Sequence, residues 1–160
     1  MLIRKATIND LKEIAEVEAT CFPPAEAATE KAIRERLEVY ADHFWTLFEE
    51  DKLISFVNGM VTDEPDLRDE MYENAKLHNP EGKWQMIFGV TTLPEYQGNG
   101  YAALVMERVI SDCKAQGRKG IVLTCKDRLI KFYEQFGFVN EGESQSEHGG
   151  ATWYEMRLLL

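Results

Sequence analysis

Apolar positions along the chain fall into short blocks whose spacing switches between helix and strand periods. Leu2 to Ala6 reads as a first strand. Asn9 or Asp10 can cap a helix whose stripe Leu11, Ile14, Ala15 and Glu18 runs toward Phe22, where Pro23 and Pro24 stop it. A second helix is predicted from Thr29, whose hydroxyl can accept from an orphan amide, with Ile33, Leu37 and Tyr40 on its apolar face and an end by about His43. The runs Phe44 to Phe48 and Leu53 to Met60 flank an acidic Glu49-Glu50-Asp51 turn and read as a β-hairpin. The segment DEPDLRDEMYENAKLHNPEG is too charged for a buried strand and predicts a long loop holding a helical turn, a kind of loop that tends to carry function.

Lys83 to Thr92 is a near-continuous apolar run bounded by Gly82 and Pro94, which predicts one central strand covered on both faces. After the glycine-rich PEYQGNG, YAALVMERVISDCKAQ reads as an amphipathic helix with Leu104, Val105, Val109 and Ile110 inside, closed by Gly117. GIVLTC predicts a buried strand and DRLIKFYEQF a short helix closed by Gly137. Phe138 to Gly142 and Thr152 to Leu159 predict two last strands joined through SQSEHGG. The order β-α-α-β-β-β-α-β-α-β-β predicts an α/β fold of the α+β kind, a central mixed β-sheet flanked by helices. No repeat or low-complexity tract interrupts it, so residues 1–160 read as a single domain.

Composition narrows what such a domain can do. With 160 residues, 44% of them hydrophobic, one core can be buried without disulfides or metal. Lys and Arg number 18 against 28 Asp and Glu, a formal charge of −10, which disfavours nucleic acid and anionic membrane and favours a cationic small molecule, although an acidic surface also serves plain solubility. Cys21, Cys113 and Cys125 show no CxxC spacing and no histidine in a zinc pattern, which fits a reducing compartment and no metal. The start MLIRKATINDLKEI lacks the basic and apolar regions of a signal peptide, and no window approaches the ~18 apolar residues of a membrane span, so a cytoplasmic protein is expected.

The chemistry concentrates where Gly98 and Gly100 stand between an apolar strand and the start of a long helix. Glycines let backbone approach a ligand, and the orphan N–H groups and dipole of a helix start favour a phosphate or pyrophosphate. A lone glycine turn capping a helix would look the same. No GK[ST] follows, and three residues after Gly100 stands Ala103 rather than the last glycine of GxGxxG, so a kinase loop and a dinucleotide fingerprint are both disfavoured. What remains, Gln97-Gly98-Asn99-Gly100-Tyr101-Ala102, resembles the Q/R-x-x-G-x-G/A pyrophosphate loop of the GNAT acetyltransferases, which follows that family's fourth strand. LIKFYEQFGF is similar to the family's closing helix, and VLTCKDRLIKFYEQFGF, ATWYEMRLLL and CFPPAEAATE resemble its arylalkylamine N-acetyltransferase branch, so the likeness covers almost the whole chain.

The resemblance implies a GNAT domain that uses acetyl-CoA as cosubstrate to acetylate a primary amine by direct attack in a ternary complex. It implies cofactor binding by Tyr96, Gln97, Gly98, Asn99, Gly100, Tyr101 and Ala102, and pairing of the pantetheine arm with the backbone of Phe88, Gly89 and Val90 like an added strand. It places Tyr133 as the acid that protonates the departing thiolate, whereas the residues alone, without the glycine loop, favour Tyr133 as one more core aromatic beside Phe132, Phe136 and Phe138. Phe22, Pro23, Glu26 and Asp63 are the candidates for holding the amine, with Phe22 stacking on an aryl tail and a carboxylate on the ammonium. The branch's two histidines on the fourth strand match Trp84 and Met86 here, which cannot accept a proton. Glu26, Asp63, Glu64, Glu70 and His78 therefore stand as candidate bases, working through water, although each also reads as a surface or turn residue. A polyamine, an aminoglycoside or a protein N-terminus would suit the same cofactor half, as would a non-catalytic CoA-binding module. Apolar residues near the last strands leave room for a homodimer.

Overall fold

Two sheets, rather than one, organise the chain. The computed structural model describes residues 1–160 as β1 (Leu2–Lys5), α1 (Leu11–Cys21), α2 (Glu30–Tyr40), β2 (Phe44–Glu49), β3 (Lys52–Asn58), β4 (Val61–Thr62), α3 (Asp69–Glu73), β5 (Trp84–Ile87), β6 (Gly89–Thr92), α4 (Tyr101–Ala115), β7 (Gly120–Cys125), α5 (Ile130–Glu134), β8 (Val139–Glu143) and β9 (Tyr154–Leu159). Contacts group these elements into one unit of Met1–Gly59 with Gly89–Val109 and another of Met60–Phe88 with Ile110–Leu160.

The first unit carries an antiparallel sheet in the order β1-β2-β3-β6. The hairpin between β2 and β3 closes on Glu50 and Asp51, whose φ values of 47° and 67° give the left-handed pair that matches the twist of a two-residue turn. Helix α1 buries Leu11, Ile14, Val17 and Glu18. The buried Glu18 carboxylate is accounted for by the Ala28 N–H, which donates to it at 2.9 Å and ties down the bend after Phe22. Thr29 caps α2 by accepting from the Ala32 N–H at 3.1 Å. Ile33, Tyr40, Phe44, Trp45, Leu47 and Phe56 fill the core of this unit.

The second unit carries a sheet in the order β4-β5-β7-β9-β8, parallel only between β5 and β7. Its charged segment is more ordered than a plain loop. It forms β4, the short α3 and a 3₁₀ turn at Ala75–Leu77, anchored by the buried Leu67, Met71 and Ala75. Arg157 on β9 binds this segment down, donating to Asp66 at 2.7 Å, to the Pro65 carbonyl at 2.6 Å and to Glu141 on β8 at 2.9 Å, with its guanidinium 4.8 Å above the Trp84 ring.

Two expectations need correction. Lys83 to Thr92 is not one strand: β5 pairs with β4 and β7 in one sheet, β6 pairs with β3 in the other, and the break falls at Phe88. An apolar run has no period from which a change of partner could be read. In α4, Leu104 is exposed, and Val105, Met106, Val109 and Cys113 form the buried stripe, whose centre lies about a third of a position (roughly 35°, at ~100° per residue) from the expected one. Its end is as expected. Gly117, at φ 77°, donates to the Lys114 carbonyl while the Arg118 N–H reaches that of Cys113, the paired bonds of a glycine-closed helix.

Candidate active site

In the first unit, Pro94 opens a 3₁₀ turn over Pro94–Tyr96, and the chain then passes through Gly98 and Gly100, at φ 81° and 82°. Those angles are strained for any residue with a side chain, β-branched ones most of all. Gly100 ends the loop by accepting the Leu104 N–H at 3.1 Å, so the N–H groups of Tyr101, Ala102 and Ala103 are the orphan donors of α4. The loop is held from beneath by its own side chains. Gln97 Nε2 donates to the Thr92 carbonyl at 3.0 Å, and Asn99 Nδ2 reaches the Tyr96 and Gln97 carbonyls at 3.3 and 3.4 Å. Tyr96 and Tyr101 meet edge to face at 6.1 Å on either side of the glycines. Nothing within 4 Å would meet a Cβ on Gly98 or Gly100, so open space lies over the backbone at both. Orphan donors, a helix dipole and a bare backbone together fit an anion such as a pyrophosphate.

Strand β6 ends its sheet, leaving one of its edges without a strand partner. Leu93 N–H donates to Ile54 O at 2.9 Å, which makes Leu93–Ile54 a hydrogen-bonded pair. With Phe56 opposite Thr91 and Val57 opposite Val90, antiparallel alternation turns the N–H and C=O of Val90 and Thr92 toward the open edge. The Thr92 carbonyl is taken by Cys21 Sγ at 3.3 Å and by Gln97. Val90 thus turns its backbone N–H and C=O to the open edge, and Gly89 adjoins it.

Phe22, Pro23 and Glu26 lie together at the bend after α1, where the Pro23 carbonyl accepts the Glu26 N–H at 2.9 Å. The Phe22 ring reaches Gly89: a Cβ there would stand 3.8 Å from Phe22 Cζ, 3.8 Å from Asn58 Nδ2 and 3.6 Å from Thr91 Oγ1. Asn58 itself accepts from the buried Arg36 at 3.0 Å, and Thr91 Oγ1 is buried without a hydrogen-bond partner. Nothing in the spacing of Arg36, Asn58 and Thr91 sets them apart in the sequence.

In the second unit, Tyr133 on α5 is 6% exposed, with its ring edge-on to Phe132 at 5.1 Å and Phe138 at 5.9 Å. Burial pushes its phenol well above the ordinary range, and the nearby Cys125 and Tyr72 add to the effect. Cys125 on β7 is itself pushed up to about 11, mainly by burial and then by Asp127. Tyr72 on α3 has its ring 4.6 Å from Phe88 and 4.8 Å from His148, and its hydroxyl shares a hydrogen bond with Thr124 Oγ1 at 3.3 Å. The spacing of Tyr72 and His148 does not mark them in the sequence; an aromatic in the otherwise charged DLRDEMYENAK is the one signal it offers.

The candidate bases are mostly engaged in structure. Asp63 accepts from the Lys83 N–H at 3.2 Å and Asn79 Nδ2 at 3.4 Å, where it closes the turn before β5. Glu64 holds Arg68 through two bonds of 2.8 and 2.9 Å, and Glu70 pairs with the same guanidinium. His78 Nδ1 accepts the Val61 N–H at 3.0 Å, so that nitrogen is spent on β4. Cys21, pushed up to about 11 by burial and then by Glu18 and Glu95, is a poor nucleophile.

Comparison with known proteins bears on the fold and the family. Serotonin N-acetyltransferase of Mesocricetus auratus is 28% identical over 127 residues, 74% of this chain and 60% of that protein, so the chain spans about 60% of the length of the curated relatives it matches. Among solved structures, the GphF GNAT-like decarboxylase in complex with isobutyryl-CoA superposes with a TM-score of 0.86 at 18% identity, over 99% of each chain. The loading GNATL domain of CurA from Lyngbya majuscula gives 0.85 at 16%, over 99% of this chain and 96% of that one. The family model described as acetyltransferase (GNAT) matches residues 10–138, and with the mixed α/β architecture above it shows that this chain belongs to the GNAT acetyltransferase family.

Proposed function

We propose that residues 1–160 act as one N-acetyltransferase domain that moves the acetyl group of acetyl-CoA onto a primary amine of a small molecule, with arylalkylamines as the first candidates. The observation that carries this reading is the pairing of an anion-binding loop at Gln97–Ala102 with an open strand edge at Val90, which together suit a long, phosphate-bearing thioester. The name of the curated relative supports the amine, and the isobutyryl-CoA bound by a structural neighbour supports an acyl-CoA. Acetyl-CoA supplies an activated acetyl group; this chain's residues bind it, orient it and manage protons. Backbone N–H groups of Tyr101, Ala102 and Ala103 take the pyrophosphate, with Tyr96, Gln97, Gly98 and Asn99 shaping the loop. The Val90 N–H donates to the thioester oxygen, beside Phe88 and Gly89.

Tyr133 protonates the leaving thiolate. Burial makes a phenol a weaker acid, but it makes a thiolate a stronger base. Burial raises the Cys125 thiol in the same direction as the Tyr133 phenol, so both partners of the transfer shift the same way. Phe22, Pro23 and Glu26, together at the bend after α1, form the acceptor's contact surface. No helix is long and apolar enough to cross a membrane, in keeping with a proposed cytoplasmic enzyme. The test is free thiol production on mixing the protein and acetyl-CoA with a panel of arylalkylamines, polyamines, aminoglycosides and peptide N-termini. Thiol release with an arylalkylamine supports the reading. Binding of CoA without turnover on any amine would favour a CoA-binding module.

A further inference from the structure

The two strand positions expected to carry proton acceptors hold Trp84 and Met86, both buried. Of the three histidines, His78 spends Nδ1 on the Val61 N–H, and His43 is buried in the first unit beside Asp42 at 3.8 Å and edge-on to Trp45 at 5.9 Å. His148 is placed differently. It is half-buried, and its ring lies almost parallel to that of Tyr72, 9° apart at 4.8 Å. Tyr72 in turn lies against Phe88 and is an electrostatic neighbour of Tyr133. The segment bearing His148 is rich in Gly and Ser, yet it is tied at several points. Trp153 Nε1 donates to the His148 carbonyl at 2.7 Å, and the His148 N–H donates to Ser146 Oγ at 3.3 Å. The Asp69 carboxylate accepts from Ser146 Oγ at 2.5 Å and from the Glu147 N–H at 2.9 Å.

We propose that His148 is the base that takes the proton from the acceptor's ammonium group, and that Tyr72 is the positioning residue that holds the imidazole beside Phe88. This rests on the transferase reading. The protons balance as follows: the ammonium gives one proton to an imidazole nitrogen, which passes it to water, and the neutral amine attacks the thioester. The second nitrogen-bound proton is lost as the amide forms and replaces the one that Tyr133 gives to the thiolate, so the turnover releases amide, thiol and one proton. The titratable and charged groups on the elements packed around the imidazole are Asp69, Glu70, Tyr72 and Glu73 on α3, Glu147 on its own segment, and Lys126, whose ammonium sits 5.7 Å above the Trp153 ring.

The experiment compares parent, His148→Gln and His148→Ala in steady-state kinetics from pH 6 to about 10 with a strongly and a weakly basic amine, each variant first checked for parental melting and acetyl-CoA affinity. Loss of the base should lower kcat/KM for the strongly basic amine about 10²-fold near neutrality. The deficit should shrink as pH rises toward the amine's own pKa, should be smaller for the weakly basic amine, and should be partly rescued in His148→Ala by added imidazole. Tyr72→Phe, which keeps the stacked ring, should retain most of the parental rate, and Tyr72→Ala should behave like His148→Gln. A loss of equal size at every pH and with both amines, without imidazole rescue, would show a merely structural role. Parental rates in His148→Gln would overturn the inference alone, whereas a parent that acetylates no amine would overturn the transferase reading as well.

Discussion

Replacing Tyr133 with Phe separates chemistry from packing at the residue on which the two readings differ most. The ring contacts to Phe132 and Phe138 at 5.1 and 5.9 Å need no hydroxyl, so they persist. The cost in stability should stay within about 1.5 kcal/mol, as for a near-isosteric core exchange. What is lost is a proton donor that burial keeps neutral at any working pH. If the hydroxyl protonates the leaving thiolate, kcat should fall ~10²-fold, equivalent to about 2.7 kcal/mol of transition-state stabilisation. Affinity for acetyl-CoA should change by no more than a few-fold, because the bond to sulfur matters chiefly as charge develops there. Thiol release under saturating acetyl-CoA measures the first quantity, calorimetric titration the second and thermal melting the third. A folded Tyr133→Phe protein turning over at the parental rate would refute the assignment and leave Tyr133 as a packing residue.

Three further outcomes follow from the geometry. Gly100→Val forces a β-branched residue to φ 82° over the orphan N–H groups of α4, so CoA should bind at least about tenfold more weakly, or 1.4 kcal/mol by titration, and unchanged affinity in a folded variant would remove the loop from the site. Val90→Pro deletes an N–H that faces the open edge of β6 and makes no ladder bond to β3, so the fold should tolerate it while kcat drops about 10²-fold through the lost donor; normal turnover would show that the thioester oxygen is held elsewhere. Arg4 grips Asp10 through two bonds of 2.9 Å and holds its carboxylate below the ordinary 3.8, so that stability is complete above 3.8 and is lost as pH falls through the lower folded value. Asp10→Asn should therefore cost about 1–3 kcal/mol in neutral melts and approach the parent in acid; a gap that stays constant with pH would contradict this.

Much of this protein was written locally. Thr29 as a helix cap, the Glu50-Asp51 hairpin turn, Gly117 as a helix stop and the loop Gln97–Ala102 each follow from one or a few neighbouring residues whose backbone preferences leave few options, so they were legible without a structure. The split of Lys83 to Thr92 at Phe88 was not, because an apolar residue fits a central strand equally well whichever partner it pairs with. The open edge at Val90 depends on that split and on the register with β3, a long-range choice. The gathering of Tyr72, Thr124, Cys125, Tyr133 and His148 was likewise beyond local inference. These residues are distant in the chain, and only the pairing of β5, β7 and β9 with the docking of α3 brings them together. Local stereochemistry determined the elements and the conformation of the glycine loop; which side chains share one environment was decided by burial and strand pairing, whose energies belong to the folded whole.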